Sequence, residues 1–262
     1  MPRRGHPDLP RPAALALAAA LATGALLAAG APPARAQEAG RVQRIEEAQF
    51  RAGAGRITFG ELPAHTPNPV YPPALYGGGP GSPTVRFGGF FQGRRMGRPE
   101  ECPPGAVPTG CLAGRPSAPL TLDPAAPAAL TLIDRSRPEE APQLGGTPVF
   151  NGPVAIWFDA DQAAVGLEGG VFDAIGSVAI TIYDRQGQAL GRVTNRRLGA
   201  EFLGLATADL VPRIAGLEFH LVGAEQGGFG VDNIRFGAPS QVELPDVTPP
   251  PAPSPRRAPI LP

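Results

Sequence analysis

Between residues 154 and 237 apolar and polar residues alternate with a period of two. In VAIWFDADQ, Val154, Ile156 and Phe158 fall on one face, Ala155 and Trp157 on the other. In VAITIYD, Val178, Ile180 and Ile182 oppose Ala179, Thr181 and Tyr183. In LEFHLV, Leu217, Phe219 and Leu221 oppose Glu218, His220 and Val222. That period predicts short strands with one apolar face each. Asp184-Arg185-Gln186-Gly187, with Asp first and Gly fourth, predicts a tight type I turn joining two of them. No segment of this region carries a helical period, so the stretch predicts an all-β fold, an antiparallel β-sandwich with long Pro/Gly-rich loops.

The pattern before residue 154 is more broken. GRITFGELP places Ile57 and Phe59 on one face of a first strand, and TVRFGGFF does the same with Val85 and Phe87. Its double Gly predicts a bulge or a close backbone approach. Between them HTPNPVYPPALYGGGPGSP is too rich in Pro and Gly for regular structure and reads as a loop pinned by Tyr71 and Tyr76. APLTLDP and AALTLID are two short strands with a turn beginning at Asp123-Pro124, and RSRPEEAPQLGGTP is a polar connector. RVQRIEEAQF offers one helical turn or a lead into a strand. The chain therefore divides into residues 1–36, a lead-in over 37–55, a sandwich over 56–237 and a Pro-rich tail over 238–262, where missing amide hydrogens preclude a ladder and predict a disordered or polyproline-like extension.

The segments FDADQAAVGLEGG, ITIYDRQGQALG, EFLGLA, IAGLEF and FGVDNIRFG, with NPVY and TVRFGGFF more loosely, carry a likeness. The chain resembles exported jelly-roll domains of Gram-negative bacteria that often bear exosortase (PEP-CTERM) sorting tails, whose last strand commonly reads aromatic, Asp-Asn, apolar, aromatic. The resemblance implies a jelly-roll-like sandwich and a surface or matrix role. A sorting tail would add a Pro-Glu-Pro box, an apolar span and an Arg cluster; here the tail carries only Arg256-Arg257, which favours release into the periplasm or medium over anchoring.

Composition adds a compartment. Arg3, Arg4 and Arg11 precede the run AALALAAALATGALLAAGA, which leads to Ala34-Arg35-Ala36: a charged region, an apolar region and a small-x-small cleavage site, hence a signal peptide over 1–36. The alternative is a membrane anchor, since the run nearly reaches span length. Its Ala and Gly content makes it weakly apolar and favours cleavage. The 262-residue chain has formal net charge +0, and no basic block follows the signal region. That argues against nucleic acid and against an electrostatic membrane partner. Cys102 and Cys111 are the only cysteines, and PPGAVPTG between them can bring its ends together. In an exported chain this reads as a disulfide closing a small loop, worth about 2–3 kcal/mol, with a two-cysteine metal site as the alternative.

Candidate chemistry is sparse. Asp232 shares parity with Ile234 and Phe236; an inward carboxylate must be paired or metal-bound. A structural calcium held with Glu47 or Glu61 is the candidate cofactor, and hydrogen bonding to turn amides, or a bulge that turns Asp232 outward, is the alternative. Asp159-x-Asp161 fails the EF-hand spacing and reads as a solvated turn. Trp157 and Tyr183, opposite the main apolar sets, are candidates for an exposed aromatic platform that stacks on sugar rings, against the alternative that they are core. Glu218 and His220, with Asp173 or Glu201, are the candidate acid/base group, against a solvated face. With no nucleophile elbow and no H-E-x-x-H, binding of an extracellular polysaccharide or cell-surface component without turnover is the first functional expectation. A polysaccharide-active enzyme on the same sandwich is the second. The processed protein is expected to begin near Gln37, which the intact mass of protein recovered from the cell envelope checks; an unprocessed N-terminus held in the membrane fraction contradicts it.

Overall fold

The alternating faces meet in one core. The computed structural model describes residues 42–133, 142–226 and 228–244. The signal-peptide expectation over 1–36, the lead-in up to residue 41, the RSRPEEA half of the connector and the tail beyond 244 lie outside the described residues. In chain order the strands are β1 (Val42–Ile45), β2 (Gly55–Ile57), β3 (Val70–Tyr71), β4 (Val85–Gly88), β5 (Arg94–Met96), β6 (Leu112–Gly114), β7 (Leu130–Leu132) and β8 (Gln143–Gly145). They continue as β9 (Val154–Gln162), β10 (Ala164–Phe172), β11 (Val178–Tyr183), β12 (Ala189–Thr194), β13 (Gly199–Thr207), β14 (Ile214–Leu221) and β15 (Gly230–Gly237).

One sheet runs β1-β13-β10-β15-β8-β7 with β2 also on β15, and the other β12-β11-β14-β9-β4-β3; every pairing within them is antiparallel. The all-β sandwich is therefore the observed fold. Val154, Ile156, Phe158, Val178, Ile180, Ile182, Leu217, Phe219 and Leu221 all enter the shared core with Val165, Leu203 and Phe236 from the opposite sheet. The turn after β11 forms as its sequence dictates: the Asp184 carboxylate accepts the amides of Gln186 and Gln188 at 2.9 Å each, and Gly187 takes a φ of 74°.

Several expectations need correction. APLTLDP forms no strand, only a bridge from Leu122 to Phe91; the Pro- and Gly-rich loop contributes β3, and the polar connector contributes β8. The lead-in is part of the sandwich, because β1 lies along β13 from Val42 opposite Thr207 to Ile45 opposite Gly204. The Pro-rich tail begins later than residue 238. Val242 is buried beside Phe50, while the Arg51 amide donates to Gln241 O and the Glu243 amide to Gln49 O. Apolar burial at Val242 outweighs the local shortage of donors. Last, the second sheet has no solvated face at its centre: every residue of β11 and β14 is buried.

The cover over that outer face is the stretch 89–123. It contains the β5–β6 hairpin and the disulfide between Cys102 and Cys111, whose Cα atoms are 5.9 Å apart. Cys111 bridges to Leu221 of β14, so the loop is fixed to the sheet. Phe91 and Leu120 pack with Ala155, Tyr183 and Ala215 on the outer face. Gly216 makes this approach possible, because a Cβ there would lie 2.6 Å from Ile156 O and 2.8 Å from the Phe91 ring. Backbone on one side and a buried ring on the other leave no room to give. Gly216→Ala is expected to cost about 1–3 kcal/mol by overpacking, measured as a lower urea midpoint at unchanged slope; an unchanged midpoint would show that the cover yields freely.

Candidate functional site

The cover stops short of the sheet edge at β12, and an open cavity of about 640 Å³ remains there. Its walls come from four sources: Ala189, Gly191 and Arg192 on β12, Thr181, Tyr183 and His220 on β11 and β14, Val42 and Arg44 on β1, and Arg94 and Leu112 on the cover. Small residues at 189 and 191 keep the edge strand low, and outward-facing polar positions of β11 and β14 supply the floor.

Glu218 lies under this floor, completely buried. Its carboxylate accepts from Arg94 Nε at 3.0 Å, from the Tyr183 hydroxyl at 2.8 Å and from the Phe91 amide at 3.2 Å. Burial pushes the Glu218 carboxyl up, and Arg94, Tyr183 and the Phe91 amide oppose that shift. All three partners donate, so the arrangement is complementary to the ionised carboxylate. Burial, then the Glu218 charge, raises the Tyr183 phenol well above its ordinary range.

Beside it the His220 ring bridges a side chain and the backbone. Nδ1 is 3.2 Å from Leu221 O and Nε2 is 3.2 Å from Thr181 Oγ1. The carbonyl accepts only, so Nδ1 carries the hydrogen and Nε2 accepts from the Thr181 hydroxyl. Burial, then Arg94, lowers the His220 pKa to about 3, with a smaller contribution from Arg192. The ring is therefore neutral at physiological pH and a weak base. Positive charge in the groove comes from guanidinium groups alone.

Those guanidiniums differ in commitment. Arg44 holds Glu201 at 2.5 Å and donates to Thr194 O at 2.8 Å, and Arg94 is bound to Glu218 and to Gly114 O. Arg192 is exposed, and no side-chain hydrogen bond or ion pair to the other described residues engages it. This free arginine gave no motif; only its position on a low edge strand beside Thr181 distinguishes it.

The other sequence candidates are placed elsewhere. Tyr183 is buried under Phe91, their ring centroids 5.8 Å apart, so the two-aromatic platform does not form. Trp157 is half-buried: its Nε1 donates to Leu120 O at 2.9 Å and Arg185 stacks over its ring at 5.3 Å. Both serve to seat the cover. Glu218 and His220 do share a face, but a buried one, and neither Asp173 nor Glu201 joins them. Glu201 binds Arg44 and the amides of Arg196 and Arg197, and the Asp173 amide donates to the buried Glu225, whose carboxylate also accepts from Ser177 Oγ at 2.7 Å. Burial, then the neighbouring Asp173, pushes the Glu225 carboxyl up.

The calcium ligand set is not assembled by the residues named for it. Val231, Ile234 and Phe236 are core, so parity breaks between 231 and 234; Asn233 sits at a φ of 45° and the β10–β15 register shifts alongside. That bulge turns Asp232 off the inward parity, and its carboxylate accepts from the Asn233 amide at 2.7 Å. Glu47 pairs with Arg235 at 3.4 Å and Glu61 accepts from Thr58 at 3.0 Å. Among the described residues no three His, Cys, Asp or Glu side chains are grouped to hold a metal ion. Asp159 and Asp161 lie within strand β9 and not in a turn; Asp159 accepts from the Thr84 amide and Asp161 pairs with Arg185.

No protein-family model matches this chain, and no curated protein matches it significantly. Among the described residues no helix is long and apolar enough to cross a membrane.

The buried neutral His220 makes stability depend on pH. A ring with a folded pKa of about 3 and an unfolded value near 6.5 contributes fully above the unfolded value; the contribution is lost as pH falls toward the folded one, where the unfolded chain binds the extra proton. Denaturation midpoints are expected to drop between roughly pH 6.5 and 3. His220→Gln should flatten that part of the profile, and an identical acid slope in the variant would assign the loss to other groups.

Proposed function

We propose that this chain is an exported β-sandwich binding module that holds an acidic polysaccharide in the groove at β12. The observation that carries the reading is the groove's charge. Three guanidiniums line it: Arg44 is paired with Glu201, Arg94 with Glu218, and Arg192 is exposed and uncommitted among the described residues, so the uncompensated charge is that of Arg192. An open site with guanidinium groups set among apolar side chains suits a hydrated chain bearing carboxylate groups: Arg recognises carboxylates with a planar fork, and the Thr181 oxygen, whose hydrogen goes to His220, can accept from a sugar hydroxyl. Affinity then rests on charge and hydrogen bonds, in place of the aromatic stacking that the sequence suggested. Export follows from the N-terminal pattern, and a surface or matrix role from the family resemblance.

The runner-up, a polysaccharide-active enzyme, has one observation in its favour, the Thr181–His220 contact of 3.2 Å at the groove. A base held near a pKa of about 3 takes up little proton at neutral pH. Ordinary glycoside hydrolysis uses a pair of carboxyl groups, and Glu218 beneath the floor is sealed by three donors.

Titration with polygalacturonate oligomers and with neutral dextran, with reducing ends assayed in the same samples, separates the readings. Saturable, salt-sensitive binding of the polyuronate is expected, and Arg192→Ala should weaken it about three- to tenfold, as for one partly solvated charge-assisted contact. Equal affinity for dextran overturns the acidic-glycan assignment. Reducing-end release that disappears in His220→Ala would replace binding with catalysis.

A further inference from the structure

A second surface lies at the end of the sandwich where β10 turns into β11 and β12 into β13. Among the described residues the three most exposed large aliphatic side chains are Ile175 at 66%, Val171 at 61% and Leu198 at 59%, and all three are here. Isolated exposed aliphatics are ordinary; three grouped at the end of β10 and on the two adjoining turns are a patch.

The turns are joined to each other. Phe172 lies opposite Gly199 in the ladder, so Val171 and Leu198 flank the same cross-strand pair. The buried Asn195 ties the two tips: its side-chain amide donates to Ala174 O at 2.7 Å and Arg197 O at 3.2 Å, its carbonyl accepts from the Val178 amide, and its backbone oxygen accepts from Gly176. The apolar side chains therefore stand on a braced support with no hinge to fold them inward.

Positive charge borders this patch on the turn between β12 and β13, and the exposed Asp173 lies on the turn after β10. Arg196 and Arg197 are exposed, and their backbone amides are drawn to the buried Glu201 carboxylate at 2.6 and 2.8 Å. Their guanidiniums have no hydrogen-bond or ion-pair partner among the described residues. The acidic neighbour on the other turn, Asp173, accepts from the Gln226 amide at 3.3 Å beside the buried Glu225.

The geometry points to a membrane-docking tip: Val171, Ile175 and Leu198 enter the interfacial region of a bilayer while Arg196 and Arg197 bind its anionic headgroups. Aliphatic side chains on rigid turns insert without an ordering cost, and arginine stems follow them while the charged ends stay at phosphate level. Complementary charge selects an anionic lipid surface over a neutral one. The zero net charge of the chain, which argued against such a partner, conceals the basic cluster at this end. This assignment is independent of the groove.

Flotation of protein recovered after export, with matched N-termini in every sample, on phosphatidylcholine vesicles with and without phosphatidylglycerol tests it. Binding is expected with phosphatidylglycerol, reduced about tenfold or more by Ile175→Ser with Leu198→Ser. Arg196→Gln with Arg197→Gln should remove the preference for the anionic vesicles and the salt sensitivity. Thermal midpoints of both double variants should match the parent, since these side chains face solvent. No flotation on either vesicle, or flotation unchanged in the Ile175/Leu198 variant, overturns the proposal. So does concentration-dependent self-association abolished by the same two substitutions without vesicle binding, which would make the tip a contact between copies of the chain.

Discussion

The Glu218 carboxylate is the constraint on which the second sheet and its cover both depend. A carboxylate in the middle of a sheet, removed from water, costs several kcal/mol when it is left alone. Here the cover supplies two of its three partners, Arg94 Nε and the Phe91 amide, and the sheet supplies Tyr183. Neither piece is satisfied without the other. A buried pair of this kind adds little net stability compared with apolar packing, but removing one partner strands the other. Its effect is on register: only one placement of the cover brings Arg94 over Glu218 while Phe91 and Leu120 settle on Gly216. The disulfide acts further along the same cover, holding the 102–111 loop where Cys111 meets Leu221.

From that clamp follow the shape and the charge of the groove. Arg94 is drawn to the sheet and becomes a wall; Tyr183 is sealed below; the cover ends before β12, and Thr181, His220 and Arg192 remain at the opening. His220 is held neutral by the same burial and by the arginines around it, so the positive potential does not vary across physiological pH. Arg44 closes the far side by binding Thr194 O and Glu201. Since Glu201 also collects the amides of Arg196 and Arg197, one carboxylate organises both the groove wall and the basic turn.

What the sequence disclosed was the face of each strand that meets the core. The alternation in β9, β11 and β14 is a direct imprint of one buried side, and Asp184–Gly187 is a local turn whose chemistry is complete within a few residues. The outer face was illegible because its partners are remote: Arg94 lies 124 positions from Glu218, and nothing near either residue marks the pairing. Glu218 and Tyr183 therefore carry the pattern of a wet face while sitting under a lid, and Thr181 and His220 carry it while forming the buried floor of the groove. Asp232 misled for a different reason. Parity counting assumes an unbroken ladder, and the left-handed Asn233 breaks it. Val242 was hidden by the prolines around it, whose missing donors say nothing about apolar burial against Phe50.

The two proposed surfaces share one end of one strand, and that proximity has a physical consequence. Arg192 and the Arg196–Arg197 turn are separated by three residues of chain, Val193, Thr194 and Asn195, the first two completing β12 and the last bonded into both turns. A bilayer held by the tip would bring an anionic surface toward the groove and repel an acidic chain approaching it from solution. Each anion binding at this end therefore screens the other's attraction, and the two should compete weakly through charge without sharing a contact. Such coupling is reciprocal: if anionic vesicles lower the affinity for polyuronate, polyuronate must lower vesicle binding by the same factor, and both effects must fade as salt is raised.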